Sequence, residues 1–476
     1  MKTFDDDQTS VGQVESLEDP TFQRPTQELS SSSEIVWDGS LRATAVRYRA
    51  IGWLATASGL AYLCRNSIGV AESRIRDDLG LTLAESGQFM GAFFWTYALF
   101  QIPTGSFSYR FGTRLAMTCF AVAWSAAMFG TALSSSFALL IVAQMVMGIA
   151  QAGFFPASIN SIKYWMPMSQ RSLGCGLLAV GMQVGAIAAS VLTGRLLEVK
   201  VMTWMEVMTW RSVFILFALP GFVWALIFFI RFRDRPEGCA GVNSAERELI
   251  SANVSPDDVS RRENEADRTN WLAMFSHLGL LLICGQQICR AAGYMFFASW
   301  FPTFLQQTRG VSIAQSGYMQ GIVFAGALGG SLLGGLLVDW VWKRTGSLWL
   351  SRSGIGAYSL GICGLLILGS WYVQDMTAAL MLLAVAVFCG SFAGPAMGAA
   401  VIDIGGARVA QTLGTVNMAG NLAVAVCPII VGELFQQTED WNLVLILFAA
   451  TYLVGALCWA FVNPSRRIFT PLQADS

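Results

Sequence analysis

Twelve times along this chain a stretch of about twenty mostly apolar residues is followed by a short polar break. A helix needs about 20 such residues to cross the hydrocarbon core of a bilayer. Inside lipid every backbone N–H and C=O must be paired within the protein, which leaves helices and closed barrels as spanning structures. The runs are too long for barrel strands. Spans are therefore expected at about 50–71, 86–108, 115–134, 137–161, 173–195, 212–231, 273–304, 313–338, 352–371, 378–402, 411–432 and 441–462. With 54% hydrophobic and only 13% charged residues, the chain falls in the membrane class. The expected fold is an all-α polytopic membrane protein, twelve transmembrane helices in two six-helix bundles.

The near-zero net charge of −1 hides a polarised distribution. Alternate breaks carry Arg42, Arg47 and Arg49; Arg110 and Arg114; Lys163 and Arg171; Arg231, Arg233 and Arg235; Lys343 and Arg344; Arg408; and Arg466 and Arg467. The breaks between them are poorer in cations. The positive-inside rule then places both termini in the cytoplasm, in what is expected to be the plasma (inner) membrane. Residues 1–45 read as a disordered cytoplasmic tail, polar and Ser-rich with Asp5-Asp6-Asp7 near the start, and without the basic start and apolar core of a signal peptide. The ten cysteines show no paired metal-ligand spacing and His277 is the single histidine, so neither a Cys/His metal site nor a His-based catalytic triad is expected.

Residues 232–272 interrupt the apolar pattern and divide an N-terminal bundle, 46–231, from a C-terminal bundle, 273–463, with a tail at 464–476. The two halves echo each other. Gly105-Ser-Phe-Ser-Tyr109-Arg110-Phe-Gly112-Thr-Arg114 follows the second span, and Gly335-Leu-Leu-Val-Asp339-Trp-Val-Trp-Lys343-Arg344 follows the eighth, their glycines 230 residues apart. Arg65 in the first span and Arg290 in the seventh stand 225 apart. A charge in the hydrocarbon layer costs at least ~2.5 kcal/mol, so it persists where it lines a water-filled cavity or binds something. A parallel repeat puts the binding site between the halves at the midplane, and two arginines there call for an anion. Asp and Glu are missing from the middle of every span; Glu72, Glu85, Asp339, Asp403 and Glu433 all fall near ends.

These features resemble the major facilitator superfamily. Its signature loop Gly-x-x-x-Asp-Arg-x-Gly-x-Arg is matched by Gly105, Arg110, Gly112 and Arg114, with Tyr109 where the aspartate is expected; the second copy keeps Asp339. The resemblance implies that Gly105, Arg110, Arg114 and Asp339 gate the cytoplasmic side.

Within the superfamily the chain is similar to the anion:cation symporter family over about residues 48–465. The likeness rests on Tyr62-Leu63-Cys64-Arg65, Gly148-Ile-Ala-Gln151-Ala152, Trp165-Met-Pro167, Trp210-Arg211, Arg233-Asp-Arg-Pro236-Glu237 and Trp300-Phe-Pro302. It implies that Arg65, beside Tyr62, holds a substrate carboxylate, for which a guanidinium offers a planar fork of donors that stays charged. Ala61 and Cys64 replace the family's asparagine and aspartate, and Gln144 and Gln151 replace an arginine and a glutamate. Positions 144, 148, 151 and 155 share a helix face, which is expected to line the cavity and to hydrogen-bond substrate without exchanging a proton. Arg290, with Gln287 before it and Tyr294 one turn on, is placed similarly to the second arginine of the organophosphate antiporters. Asn417 and Asn421 in the eleventh span are candidate hydroxyl-binding groups, and the Phe- and Trp-rich runs read mostly as lipid-facing bulk.

The expected protein is a monomeric secondary active transporter, not an enzyme, moving a small organic anion such as a sugar acid through the lipid bilayer by alternating access. A proton or other co-transported ion is a candidate partner; no nucleic acid, metal or cofactor is expected. Alternatives are a ligand-sensing membrane receptor of the same fold, or a uniporter or exchanger for sugar phosphates or neutral solutes.

Overall fold

The computed structural model describes residues 43–167, 170–198, 200–202, 205–239, 241–251, 277–405 and 409–466, and the chain from Ala43 onward is one compact unit. The twelve expected spans are found as Val46–Leu79, Leu83–Phe111, Thr113–Leu133, Phe137–Trp165, Arg171–Leu196 and Trp210–Arg231, then Leu278–Ser299 continued by Phe301–Arg309, Ile313–Thr345, Leu350–Trp371, Met376–Gly405, Val409–Thr438 and Trp441–Phe461. Among the described residues ten of these helices are long and apolar enough to cross a membrane; the first two spans, of 34 and 29 residues, fall outside the ten but pack in the same bundle as the next four. Several helices outrun their apolar cores. The first continues to Leu79 because the residues after its apolar stretch still favour helix and the stop signal, Gly80 in the left-handed conformation at φ 64°, comes only there. One departure from an all-α chain is a short antiparallel ribbon, Lys200–Met202 with Met205–Val207, in the break before the sixth span.

The repeat is visible in how the helices start and stop. Thr82 and Glu85 form a capping box at the head of the second span, and Ser312 and Gln315 form one at the head of the eighth. Gly80 and Gly310, both in the left-handed conformation, end the first and seventh spans. Ser136 caps the fourth span and Asp375 the tenth. Both of those spans break mid-course, at Gly153 and at Phe392, three residues before Pro156 and Pro395. Proline cannot donate to the carbonyl four residues back, so the ladder is interrupted at matching places.

The two bundles meet through the second and eleventh spans and through the fifth and eighth. Their hydrogen bonds concentrate toward the end away from the connector. Thr303 donates to Glu72 (2.6 Å), the Ala84 amide to Gln436 (2.9 Å), the Ala314 amide to Glu198 (2.8 Å), Ser190 to Gln320 (2.7 Å), and Arg195 to Tyr318. Backbones approach there to within the radius of a methyl group: a Cβ on Gly69 would lie 2.6 Å from the Ala298 carbonyl oxygen, and one on Gly317 2.3 Å from that of Ser190. Among the described residues no hydrogen bond joins the bundles at the opposite end. The cleft is sealed at the distal end and open toward the connector.

Candidate functional site

A cavity of about 590 Å³ lies between the bundles, with walls from the first, second, fifth, seventh, eighth, tenth and eleventh spans. Of the residues expected to bind substrate, Tyr62, Arg65, Gln287, Arg290, Tyr294 and Asn421 line it. Both arginines are half-buried, and among the described residues neither makes an ion pair.

Each guanidinium donates through the same two nitrogens to a single glutamine oxygen. Arg65 donates from Nε (3.2 Å) and Nη2 (3.0 Å) to Oε1 of Gln151. Arg290 donates from Nε (3.2 Å) and Nη2 (3.1 Å) to Oε1 of Gln287. A neutral amide orients the fork and leaves the charge uncompensated. Arg65 is also boxed by rings: its Cζ lies 4.7 Å from the centroid of Tyr62, 4.6 Å from Phe93, 5.8 Å from Phe94 and 4.7 Å from Tyr97. Ring faces attract the cation without neutralising it. Phe93, Phe94 and Tyr97 belong to a run that reads as lipid-facing bulk; here these three are site residues instead, because ring content alone does not tell which helix face points inward.

The fourth-span face assembles differently from expectation. Gln151 has both amide groups engaged, its Nε2 donating to the Ala61 carbonyl at 3.1 Å, so it stands behind Arg65 and does not line the cavity. Ala61, without the side chain the family carries there, leaves that carbonyl accessible. Gln144 donates to Thr131 (3.3 Å) and borders only a small void beside Arg65. Gly148 packs against the Phe93 carbonyl, and Phe155 is exposed because the break at Gly153 ends the regular face. Cys64 points away, toward the Phe217 carbonyl. In the eleventh span Asn421 lines the cavity with its Nδ2 unpartnered, whereas Asn417, one turn nearer the open end, is exposed and does not line it. Tyr294 donates across the bundles to Gln183 (3.3 Å), a cavity residue that sequence reasoning missed. The signal that could have found it is a lone amide side chain inside the apolar fifth span.

At the open end, the Arg114 amide donates to Oδ1 of Asp234 (2.7 Å) and its Nε to the Phe229 carbonyl (2.6 Å). Asp234 therefore caps the third span and ties the loop after the second span to the end of the sixth. Gly105 packs on Pro156, whereas Arg110 and Asp339 are exposed. In the second half the ion pair at this level is Arg352 with Asp403 (2.9 Å), not Asp339.

Two repeated six-helix bundles around a midline cleft, sealed at one end, define a membrane carrier architecture. The chain belongs to the major facilitator superfamily, whose family model matches residues 54–381. It is 30% identical over 410 residues to a D-galactonate transporter of Escherichia coli O6:H1, covering 84% of this chain and 91% of the relative. A probable sulfoacetate transporter of Cupriavidus necator is 26% identical over 425 residues, covering 89% of this chain and 96% of the relative. Among solved structures, the D-xylose–proton symporter superimposes with a TM-score of 0.68 at 16% identity, over 88% of this chain and 99% of that one. An inward-facing bacterial homologue of the lysosomal transporter Spinster gives 0.67 at 18%, over 88% and 95%. At those identities the two structures speak for the fold alone.

Proposed function

We propose that this chain is a secondary transporter that carries a small organic anion, a sugar acid or related carboxylate, by alternating access. The observation that carries the reading is the pair of guanidiniums, Arg65 and Arg290, one from each bundle, facing one cavity and, among the described residues, held by a glutamine amide each, with aromatic rings around Arg65 and no carboxylate partner at either. An anionic substrate supplies the missing countercharge, and Asn421, Tyr62 and Tyr294 stand ready for its hydroxyls. The names of the relatives, among them transporters of galactonate and sulfoacetate, agree with that chemistry.

Charge distribution puts the connector and the cation-rich breaks in the cytoplasm, so the conformation described is open inward. Glu72, fully buried between Arg76 (3.0 Å) and Thr303, latches the outer end. Arg114 and Asp234 brace the inner end of the N-terminal bundle, the part assigned to Gly105, Arg110, Arg114 and Asp339 by their loop motif. Cycling proceeds without a carboxylate relay beside Arg65, since Cys64 and Gln151 occupy the positions where the family carries one.

The test is uptake of labelled D-galactonate, galactarate and sulfoacetate into proteoliposomes preloaded with the same unlabelled anion, by the native protein and by Arg65→Gln. The reading requires uptake of at least one anion and its loss in the variant. Flux that survives Arg65→Gln undiminished contradicts it.

A further inference from the structure

Alternating access requires a state in which the cavity is shut at both ends. In that state whatever charge the cavity holds is cut off from bulk water and its counter-ions. Here the cavity holds two guanidiniums, and no Asp or Glu is among the residues that line it. Along the first span the next acid after Arg65 is Glu72, two turns on, roughly 10 Å along the axis. It is already engaged by Arg76 and Thr303. On the other half, Asp403 is paired with Arg352 at the open end and Asp339 is exposed there. Gln151 and Gln287 orient the guanidiniums without changing their charge at any pH.

We propose that the protein is an obligate exchanger of small dianions, returning across the membrane only when an anion with two charged ends occupies both arginines. This rests on the anion-carrier reading above and extends it to the charge of the cargo and the mode of transport. Closing the empty cavity would bury two like charges with no countercharge, which is disfavoured strongly enough to stall the cycle. A monoanion neutralises one arginine and leaves the other. A dianion, either a dicarboxylate or a carboxylate joined to a sulfonate, neutralises both, and the loaded cavity closes as a net-neutral unit. Because the arginines come from different bundles, the same two contacts also draw the halves together around the cargo.

The experiment is initial uptake of labelled galactarate, sulfoacetate and D-galactonate into proteoliposomes that are either empty or preloaded with the same unlabelled anion. Valinomycin and equal potassium on both faces hold the voltage at zero, so that charge build-up does not itself slow net uptake. Preloading is expected to raise the rate for a dianion by roughly tenfold or more, the scale set by burying an unpaired charge, and the dianions are expected to exchange faster than D-galactonate. Equal rates into empty and preloaded vesicles overturn obligate exchange while leaving the anion carrier intact. Exchange of D-galactonate as fast as that of the dianions, or faster, overturns the two-ended cargo. No entry of any of the three under either loading overturns the anion-carrier reading, and this inference with it.

Discussion

Arg65 and Arg290 carry the same charge into the same cavity, but the structure holds them by different means. Arg65 is fixed by tertiary contacts: Gln151 from the fourth span, 86 residues away, and three rings from the second. Arg290 is held by Gln287, three residues earlier on its own helix. A side chain locked by several helices is pre-organised and loses little freedom when a ligand arrives, whereas one held by its own helix retains room to follow the ligand. The N-terminal arginine is thus a fixed anchor and the C-terminal one an adjustable clamp.

The comparison is sharpest in the two Arg→Lys replacements. Lysine keeps the charge but lacks the planar fork that both glutamines and a carboxylate engage. Arg65→Lys is expected to lower the specificity of uptake about 100-fold, and Arg290→Lys about 10-fold, on the scale of one to two lost charge-assisted hydrogen bonds. Equal losses would erase the distinction between anchor and clamp. Next come the holders. Gln151→Leu leaves Arg65 without its orienting amide and removes the side-chain bond to the Ala61 carbonyl, so a loss of roughly 10-fold is expected in uptake. Gln287→Leu should cost about 3-fold, because the local helix still directs Arg290. Kinetics of uptake for the paired variants decides the order.

Replacing a ring of the cage has a smaller effect. Tyr97→Leu removes one of four ring contacts, worth about 0.5–1 kcal/mol, and is expected to raise the apparent KM about 2- to 5-fold with maximal rate preserved. The smallest effect on the anchor comes from the distal seal. Thr303→Val removes the hydroxyl that donates to buried Glu72 and should favour outer opening, read as faster hydrogen exchange in the 299–309 segment with binding of the anion little changed. Unaltered exchange there would show that the latch lies elsewhere.

The arginines are legible in the sequence because a charge inside an apolar run is conspicuous, and the twelve spans are legible because lipid imposes their length. The repeat was also readable in the glycines at 105 and 335, and the structure extends it to caps and breaks. What sequence could not show depends on facing. Gln151 reads as a cavity residue until its tie to Arg65 and Ala61 places it one layer back. Phe93, Phe94 and Tyr97 look like lipid-facing bulk until the first and second spans are brought together. Asp234 follows the sixth span and gives no local sign that it caps the third. In each case the partner is more than 25 residues away, and only tertiary packing selects it.

The most direct test of the account is equilibrium binding of sulfoacetate and galactarate to the purified protein, compared among the native chain, Arg65→Gln and Arg290→Gln. If one anion bridges the two bundles, each single replacement weakens binding by roughly tenfold or more, with Arg65→Gln the greater loss. Binding that is unchanged in either variant would mean that this arginine does not hold the anion, and the site between the halves would not be the one described.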